Sequence, residues 1–284
     1  MSGLQGIFRG WIERSGMAAI GMGLAVVMVF GMGAAQAGAQ AEKRTVFTQN
    51  DFHWQGSLKA GQTLEVVNRN GEIEARGAAD SSAKVDVSRG GGNDDELFFE
   101  VVEYGDGVTI CAVYAKDKNP GRCHKGGVSG DWSNNWHGHH AKVTFDVQVP
   151  TGVKLNALTT NGSVHGRDLN SVVDAATTNG NVEVATSEWA SARTTNGGVR
   201  VAMGKAQWSG ELGLHSTNGS VNVTLPASAE FEVRAATTNG GIHTDFPISV
   251  EGNLSSKNLS GKVGSGGREL HVSTTNGGIE LRKS

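Results

Sequence analysis

The sequence is poor in proline, cysteine and aromatic residues, and it has no excess of basic charge. Of its 284 residues, 4 are Pro and 2 are Cys, and aromatic residues make up 6%. So little proline beside 42 glycines indicates many tight turns and excludes a proline-rich disordered stalk. The 25 Lys and Arg residues are outnumbered by 28 Asp and Glu residues, without a basic stripe. This charge balance argues against a nucleic-acid partner.

The first forty residues have the features of an export signal. Arg9 and Arg14 precede an uncharged stretch over 15–35, which ends in small-x-small sites at 35–37 and 39–41. A positive flank, an apolar middle and a small-residue exit are typical of a secretory signal peptide. We therefore expect a signal peptide over 1–37, with cleavage as late as residue 41, and a body that is periplasmic, at the cell surface or secreted. The alternative is an uncleaved membrane anchor, because the apolar run is nearly long enough to span a bilayer.

One short sequence motif recurs six times in the second half of the chain: a hydroxyl residue, Thr, Asn and Gly, with Val or Ile two residues after the Gly. From Asn to Asn the steps are 18, 17, 22, 21 and 37 residues, and the last step divides almost evenly at Asn258. A turn that recurs about every twenty residues indicates a repeat architecture. The Asn-Gly pairs are Asn161-Gly162, Asn179-Gly180, Asn196-Gly197, Asn218-Gly219, Asn239-Gly240 and Asn276-Gly277.

Apolar and small residues alternate with polar ones on both sides of these pairs. Leu155 and Ala157 precede the first pair, for example, and Val182 and Val184 follow the second. Alternation with a period of two predicts strands with one buried face. After residue 42 the sequence shows no sustained helical periodicity, so the body is predicted to be all-β.

Two all-β architectures fit short strands joined by Asn-Gly. In an antiparallel sandwich or meander, each pair would be a type I′ hairpin turn with positive φ at both central residues. In a parallel β-solenoid, or β-helix-like fold, each pair would be a corner stacked on the previous one. There Asn would tolerate the left-handed conformation, and Gly has no Cβ to penalise it. Stacking explains the repetition, because equivalent Asn and equivalent Thr side chains could bond to one another in ladders. We therefore predict the solenoid.

The N-terminal half looks like a less regular beginning of the same domain, which we place at residues 42–284. Asn70-Gly71 is one more corner, without its Thr pair. Residues 98–104 and 108–114 read as a strand pair around a Gly-Asp-Gly turn, and 142–150 alternates cleanly. A loop insertion over about 115–141, rich in Gly, Asn, His and Trp, separates the last two of these strands.

Together these residues resemble a known family, the bacterial putative-adhesin family of β-strand-repeat proteins, a domain of unknown function. The resemblance rests on the Thr-Asn-Gly corners followed by Val or Ile, on segments 107–114 and 145–153, and on the second cysteine, Cys123. It covers about residues 60–284. The resemblance implies a β-helix-like domain at the cell envelope with an adhesive role, and it supplies no catalytic residues to carry over.

Cys111 and Cys123 are the two cysteines of the chain. An even number of cysteines in an exported protein predicts a disulfide, which here would tie a strand to the insertion. A pair of metal thiolates is the alternative.

The insertion also carries candidate metal ligands, namely His124, His137, His139 and His140. Neutral imidazole suits Zn²⁺, Cu²⁺ and Ni²⁺, so the four side chains could bind such an ion. Their spacing matches no standard zinc pattern, and a solvated glycine-rich loop is the alternative interpretation.

Five of the tryptophans divide between binding and packing. Trp132 and Trp136, in the insertion, could contact a sugar ring or a partner surface, or else fold over an apolar end of the solenoid. We expect Trp54, Trp189 and Trp208 to be packing residues.

Catalytic motifs and cofactor fingerprints are missing from the sequence. A polysaccharide-cleaving β-helix needs carboxylates clustered on adjacent coils. The comparable positions, three residues after the Gly of an Asn-Gly pair, hold Glu183, Arg200, Asn222 and His243, which differ in charge and chemistry. Calcium-binding repeats need an Asp after the glycines. The six corners are followed instead by Ser163, Asn181, Gly198, Ser220, Gly241 and Gly278.

These observations predict a non-enzymatic envelope or surface protein without a cofactor. Its repeated strands would present a binding surface to a glycan or a protein of the envelope. The alternative is a ligand-, glycan- or metal-binding sensor that uses the insertion, and a carbohydrate-active β-helix enzyme is the third hypothesis.

Overall fold

The computed structural model describes residues 26–28, 42–48, 52–90, 97–114, 121–129, 141–250 and 255–284. Every regular element in these ranges is a β-strand. Within them there is also no helix long and apolar enough to cross a membrane. In chain order the strands are β1 Val26–Met28, β2 Lys43–Phe47, β3 Phe52–Ser57, β4 Thr63–Val67, β5 Ile73–Gly77, β6 Ser82–Gly90, β7 Leu97–Tyr104, β8 Gly107–Tyr114, β9 Arg122–His124, β10 Gly127–Ser129, β11 Lys142–Val149, β12 Lys154–Leu158, β13 Val164–Leu169, β14 Val173–Ala176, β15 Val182–Thr186, β16 Ala190–Asn196, β17 Val199–Met203, β18 Glu211–Asn218, β19 Val221–Leu225, β20 Phe231–Asn239, β21 Ile242–Thr244, β22 Ile248–Val250, β23 Asn258–Val263, β24 Glu269–Asn276 and β25 Ile279–Lys283.

The strands form a parallel β-solenoid with two long sheets, which confirms the predicted fold class. Sheet A follows the order β1-β2-β7-β8-β4-β12-β14-β16-β18-β24-β20-β23-β22. Sheet B follows the order β21-β25-β19-β17-β15-β13-β5-β11-β6-β3. In each repeat the strand before Asn-Gly belongs to sheet A and the strand after it belongs to sheet B. Neighbouring coils pair in parallel, as β14 and β16 do, so the antiparallel sandwich or meander is wrong.

Antiparallel strands close both sheets at the first end of the solenoid and sheet A at the other end. At the first end, β7 pairs with β8 around the predicted Gly-Asp-Gly turn, and β6 pairs with β11. At the other end, β23 pairs with β20. At these places the parallel coils do not expose their own edges, which reduces the risk of edge-to-edge association. In sheet B the other end is the parallel strand β21.

The core lies between the two sheets and follows the predicted alternation. Central coils contribute fully buried Val, Leu, Ile and Ala side chains. Aromatic rings fill the first end, where the centroids of Phe52 and Phe99 are 5.0 Å apart and those of Phe99 and Phe145 are 6.1 Å apart. Trp208 packs beside Phe231 near the other end. Large rings thus cover the ends of a core whose middle is built from smaller side chains.

Three hydrogen bonds hold each corner to the next, and the Asn179 coil shows all of them. The Asn179 side-chain amide donates to Asn161 Oδ1 at 2.7 Å, and the Gly162 amide donates to the Asn179 carbonyl at 2.9 Å. Thr177 Oγ1 donates to the Gly162 carbonyl at 2.8 Å. Asparagine side chains therefore form the expected ladder. The prediction of a threonine ladder is wrong. The first hydroxyl residue of each motif is buried, and its hydroxyl bonds to a glycine carbonyl of the neighbouring coil.

Close packing of the coils explains every corner glycine, and a positive φ is a second reason at Gly162, Gly180 and Gly197. A Cβ on Gly197 would lie 2.0 Å from the Gly180 carbonyl oxygen, and one on Gly219 would lie 2.1 Å from that of Gly197. The expected left-handed asparagines are not found: the one described non-glycine residue with positive φ is Asp168. Glycine is required because any side chain would enter the space of the adjacent corner.

The order of the coils in space departs from their order in the chain. The last coil, β24 and β25, lies between the β18/β19 coil and the β20/β21 coil. The ladder accordingly runs from Asn218 to Asn276 and then to Asn239. Each corner was expected to sit above the previous one along the chain, and this is wrong for Asn239, because the Asn276 corner lies between it and Asn218. Asn258 does not divide the last step as a corner, because it begins β23, which is antiparallel to β20.

We predict that Gly219→Ala destabilises the protein and that Gly213→Ala, on the same coil, does not. A Cβ on Gly213 meets nothing within 4 Å, whereas one on Gly219 collides with backbone. The expected loss for Gly219→Ala is about 1–3 kcal/mol in the free energy of unfolding, the usual cost of overpacking. Urea unfolding of both variants measures it. Equal stability of the two variants would contradict the close-packed corner.

Candidate binding groove

The residues that follow the corners line a groove on the outer face of sheet B. It crosses β15, β17, β19, β25 and β21, which are adjacent parallel strands. Two depressions of about 190 and 420 Å³ meet at Ser220 and Asn222, which line both. Four strand spacings of about 4.8 Å give a length of roughly 19 Å. The groove is lined by Asn181, Glu183, Gly198, Val199, Arg200, Ser220, Asn222, Gly241, His243, Gly278, Glu280 and Arg282.

Small post-corner residues make up the floor of this groove. Gly198, Gly278 and Gly241 leave the backbone accessible to a ligand, since they carry no side chain. Short side chains on the other coils bond across to the next coil. Asn181 Oδ1 accepts from the Gly198 amide at 2.9 Å, and Ser220 Oγ accepts from the Gly278 amide at 3.3 Å. The floor is therefore rigid and polar.

One row of longer polar side chains forms the wall of the groove. In register across the sheet, Glu183 lies beside Arg200, Arg200 beside Asn222, and Glu280 beside Asn222 and His243. Arg200 donates to Glu183 Oε1 at 3.2 Å. A wall with donors, acceptors and both signs of charge suits a ligand rich in hydroxyl or amide groups.

The sequence pattern found four members of this row and missed two. Glu183, Arg200, Asn222 and His243 each lie three residues after a corner glycine, and the structure brings them together as expected for one strand face. The same offset also gives Glu280 and His165. His165 extends the row beyond the groove, with Nδ1 3.8 Å from Glu183 Oε2. A consistent count from every corner would have identified both.

Carboxylate spacing in the groove does not match glycoside hydrolysis. Glu183 and Glu280 are the carboxylates that line it, and the strands of Arg200 and Asn222 lie between theirs. Three strand spacings separate them by roughly 14 Å. Glycosidases place their two carboxyl groups about 5–9.5 Å apart. The two carboxylates of the groove are therefore too far apart to act as a glycosidase pair.

Part of the insertion predicted as a loop forms a β-hairpin on the outer face of sheet A. Strands β9 and β10 pair antiparallel, and Cys123 of β9 is bonded to Cys111 of β8 with an S–S distance of 2.00 Å. Both cysteines are buried, in a small apolar cluster with Val67, Val102 and Val113. The disulfide thus holds the hairpin over a second apolar layer outside the main core.

Two buried glutamates fix the backbone of this hairpin. Glu100 Oε2 accepts from the Cys123 amide and from Arg44 NH1, both at 2.7 Å. Glu65 Oε2 accepts from the Gly126 amide and from Thr109 Oγ1, both at 2.8 Å. Both carboxylates are satisfied by these donors, as buried charges must be.

The tip of the hairpin is tied to the turn between β7 and β8. Lys125 Nζ forms an ion pair with Asp106, and this hydrogen bond lowers the pKa of Asp106 and raises the pKa of Lys125. The Lys125 amide donates to the Tyr104 hydroxyl at 2.7 Å, and burial raises the pKa of Tyr104. Contacts at the tip therefore add to the disulfide in orienting the hairpin.

The structure places one of the four predicted metal-ligand histidines. His124 is exposed on β9, and its Nδ1 lies 2.9 Å from the Lys125 carbonyl. The other three, His137, His139 and His140, and the possible contact residues Trp132 and Trp136, lie outside the described residues. Of the tryptophans expected to pack, Trp208 is buried, and Trp54 and Trp189 pack partly buried against the core.

The point where the insertion rejoins the solenoid is well defined. Its last residue, Ala141, offers its carbonyl to the Asn70 side-chain amide at 3.2 Å and to the Tyr114 hydroxyl at 3.0 Å. Asn70 belongs to the coil whose corner bridges to Asn161, the start of the asparagine ladder. The insertion therefore returns at the first end of the row of corners.

Residues 141–282 match the family described as Toastrack DUF4097, and the chain belongs to this family. No curated protein matches the chain. One similar solved structure is that of a putative cell adhesion protein from Clostridium sporogenes, with 13% identity and a TM-score of 0.45 over 82% of this chain and 100% of that one. Another is a putative adhesin from Bacteroides fragilis, with 10% identity and a TM-score of 0.27 over 81% and 96%. Likeness of this degree assigns no function.

We predict that removing the disulfide lowers stability by about 3 kcal/mol, because it closes a short loop in the unfolded chain. The test compares urea unfolding of the wild type with that of the double variant Cys111→Ala/Cys123→Ala. A reductant should lower the stability of the wild type and leave the double variant unchanged. A difference within about 0.5 kcal/mol would show that the hydrogen bonds and the ion pair of the hairpin hold it without the disulfide.

Proposed function

We propose that this Toastrack-family chain is an exported, non-enzymatic scaffold of the cell envelope or surface that binds an extended polar polymer, a glycan or a protein segment, in the groove of sheet B. The observation that carries the proposal is the in-register row from Glu183 to His243 above a floor of Gly, Ser and Asn. Five coils repeat a similar polar surface at one strand spacing. A polymer with its own repeat can contact several coils at once, so weak contacts add up along the groove.

Two features support export. The basic and apolar N-terminal stretch with its small-x-small sites has the pattern of a signal peptide. The Cys111–Cys123 disulfide is stable in an oxidising compartment such as the periplasm or the extracellular space. An envelope location in turn gives the groove access to envelope glycans and surface proteins.

Export is tested by expressing the full chain in a bacterium and measuring, by mass spectrometry, the intact mass of the protein recovered outside the cytoplasm. We expect the intact mass of a chain that begins after residue 37, or as late as after residue 41. A full-length mass in the membrane fraction would show that the segment is retained as an anchor.

A second candidate function places the binding site in the insertion. It is favoured by the anchoring of both sides of segment 130–140, by the hairpin at one end and by Ala141 at the other. Such anchoring would present the two tryptophans and three histidines of this segment as a sensor for a ligand, a glycan or a metal ion.

The two functions are separated by glycan arrays and by pull-down from envelope extracts with matched variants. We expect Arg200→Ala and Asn222→Ala each to weaken binding at least about tenfold, since each removes groove contacts. Arg193→Ala is the control, because Arg193 bonds to Asp174 on the outer face of sheet A much as Arg200 bonds to Glu183.

Deletion of 130–140 decides between the sites. Binding that survives this deletion and falls with Arg200→Ala supports the groove. Binding that is lost with the deletion and unchanged by Arg200→Ala supports the insertion and contradicts the proposal.

A further inference from the structure

A compact set of nitrogen and oxygen donors lies on the outer face of sheet A, away from the groove. Glu211 on β18 and Glu269 on β24 are register partners, and His271 is two residues beyond Glu269 on the same face. His271 Nδ1 lies 2.8 Å from Glu211 Oε1, and its Nε2 lies 3.2 Å from Glu269 Oε2. One donor atom from each of the three side chains falls within 4.8 Å of the others.

The two carboxylates of this cluster lie opposite each other on adjacent strands and together attract positive charge. Glu211 and Glu269 face each other on adjacent strands, and Glu232 on β20 is the next residue of the same row. Like charges directly opposite one another destabilise a sheet. The facing groups that offset them are His271 itself and Arg234, whose NH2 is 3.6 Å from Glu269 Oε1, while Lys262 lies opposite Glu232.

We propose that Glu211, Glu269 and His271 bind a divalent transition-metal ion, with Zn²⁺ as the best fit. One imidazole nitrogen and carboxylate oxygens form a donor set that suits this borderline ion. The side chains are 58%, 39% and 30% exposed for Glu211, Glu269 and His271, so water can complete the coordination. Two paired strands hold the donors in register, which limits the reorganisation that binding requires.

The ion needs one of the two ring nitrogens of His271, both of which face carboxylates. An imidazole with both ring nitrogens facing carboxylates donates two hydrogen bonds only when both nitrogens are protonated. A metal ion needs a free lone pair on one of them, so binding releases any proton held there. Arg234 opposes the ion electrostatically, and Glu232 favours it.

The test is titration calorimetry with Zn²⁺ at pH 7.5 on the full chain in which His124, His137, His139 and His140 are replaced by Ala. This background removes the histidines of the insertion as competing ligands. We expect one site, with affinity lowered at least tenfold by Glu211→Gln and by His271→Gln. His215→Gln is the matched control, because His215 lies on the same face of β18 but bonds to the Ser273 hydroxyl at 2.7 Å.

Urea unfolding confirms that each variant remains folded. No zinc binding, or binding unchanged by His271→Gln, would overturn the proposal and leave the cluster as a histidine bonded to two glutamates. Neither result alters groove binding.

Discussion

The contact of each corner glycine with the carbonyl of the adjacent corner is the constraint on which the rest of this structure depends. The glycine has no Cβ, so the coils approach closely enough for the Asn amide, the Gly amide and the buried hydroxyl all to bond across the same step. Each of these hydrogen bonds is worth only about 1 kcal/mol. Repeated at every coil they fix one register, and that register decides which side chains face the core.

Function follows from this register through the position of the polar residues. A strand that begins two residues after every glycine points its first residue inward and its second outward, as with Val199 and Arg200. Stacking then converts residues about twenty positions apart into neighbours at one strand spacing. The groove from Asn181 to Arg282 and the Glu211–Glu269–His271 cluster arise in this way on opposite sheets. The scaffold is regular, and its chemistry lies in the outward residues that vary from coil to coil.

Much of the fold could be predicted from the sequence because the Thr-Asn-Gly motif and the strands beside it are contiguous in the chain. A repeated Asn-Gly between alternating strands determines both the sheets and the stacked corners. The order of the last coils could not be predicted, because nothing in the motif at Asn276 specifies that its corner lies between those of Asn218 and Asn239. Reasoning about φ gave only part of the reason for glycine, because the clash involves a residue on another coil. Counting three residues from each corner glycine located the groove wall. Glu211 and His271 carry no such local signal, because they meet only through the pairing of β18 with β24.

The central claim, that the corners are stacked and hydrogen-bonded, is tested most directly by amide hydrogen exchange measured residue by residue by NMR. Each of the amides of Gly162, Gly180, Gly197, Gly219 and Gly277 donates to an asparagine carbonyl of the next coil. We expect these five amides to exchange more slowly than in an unstructured peptide by a factor similar to that of the strand amides, about 100 or more. Corner glycines that exchange at peptide rates while the strands stay protected would contradict the account.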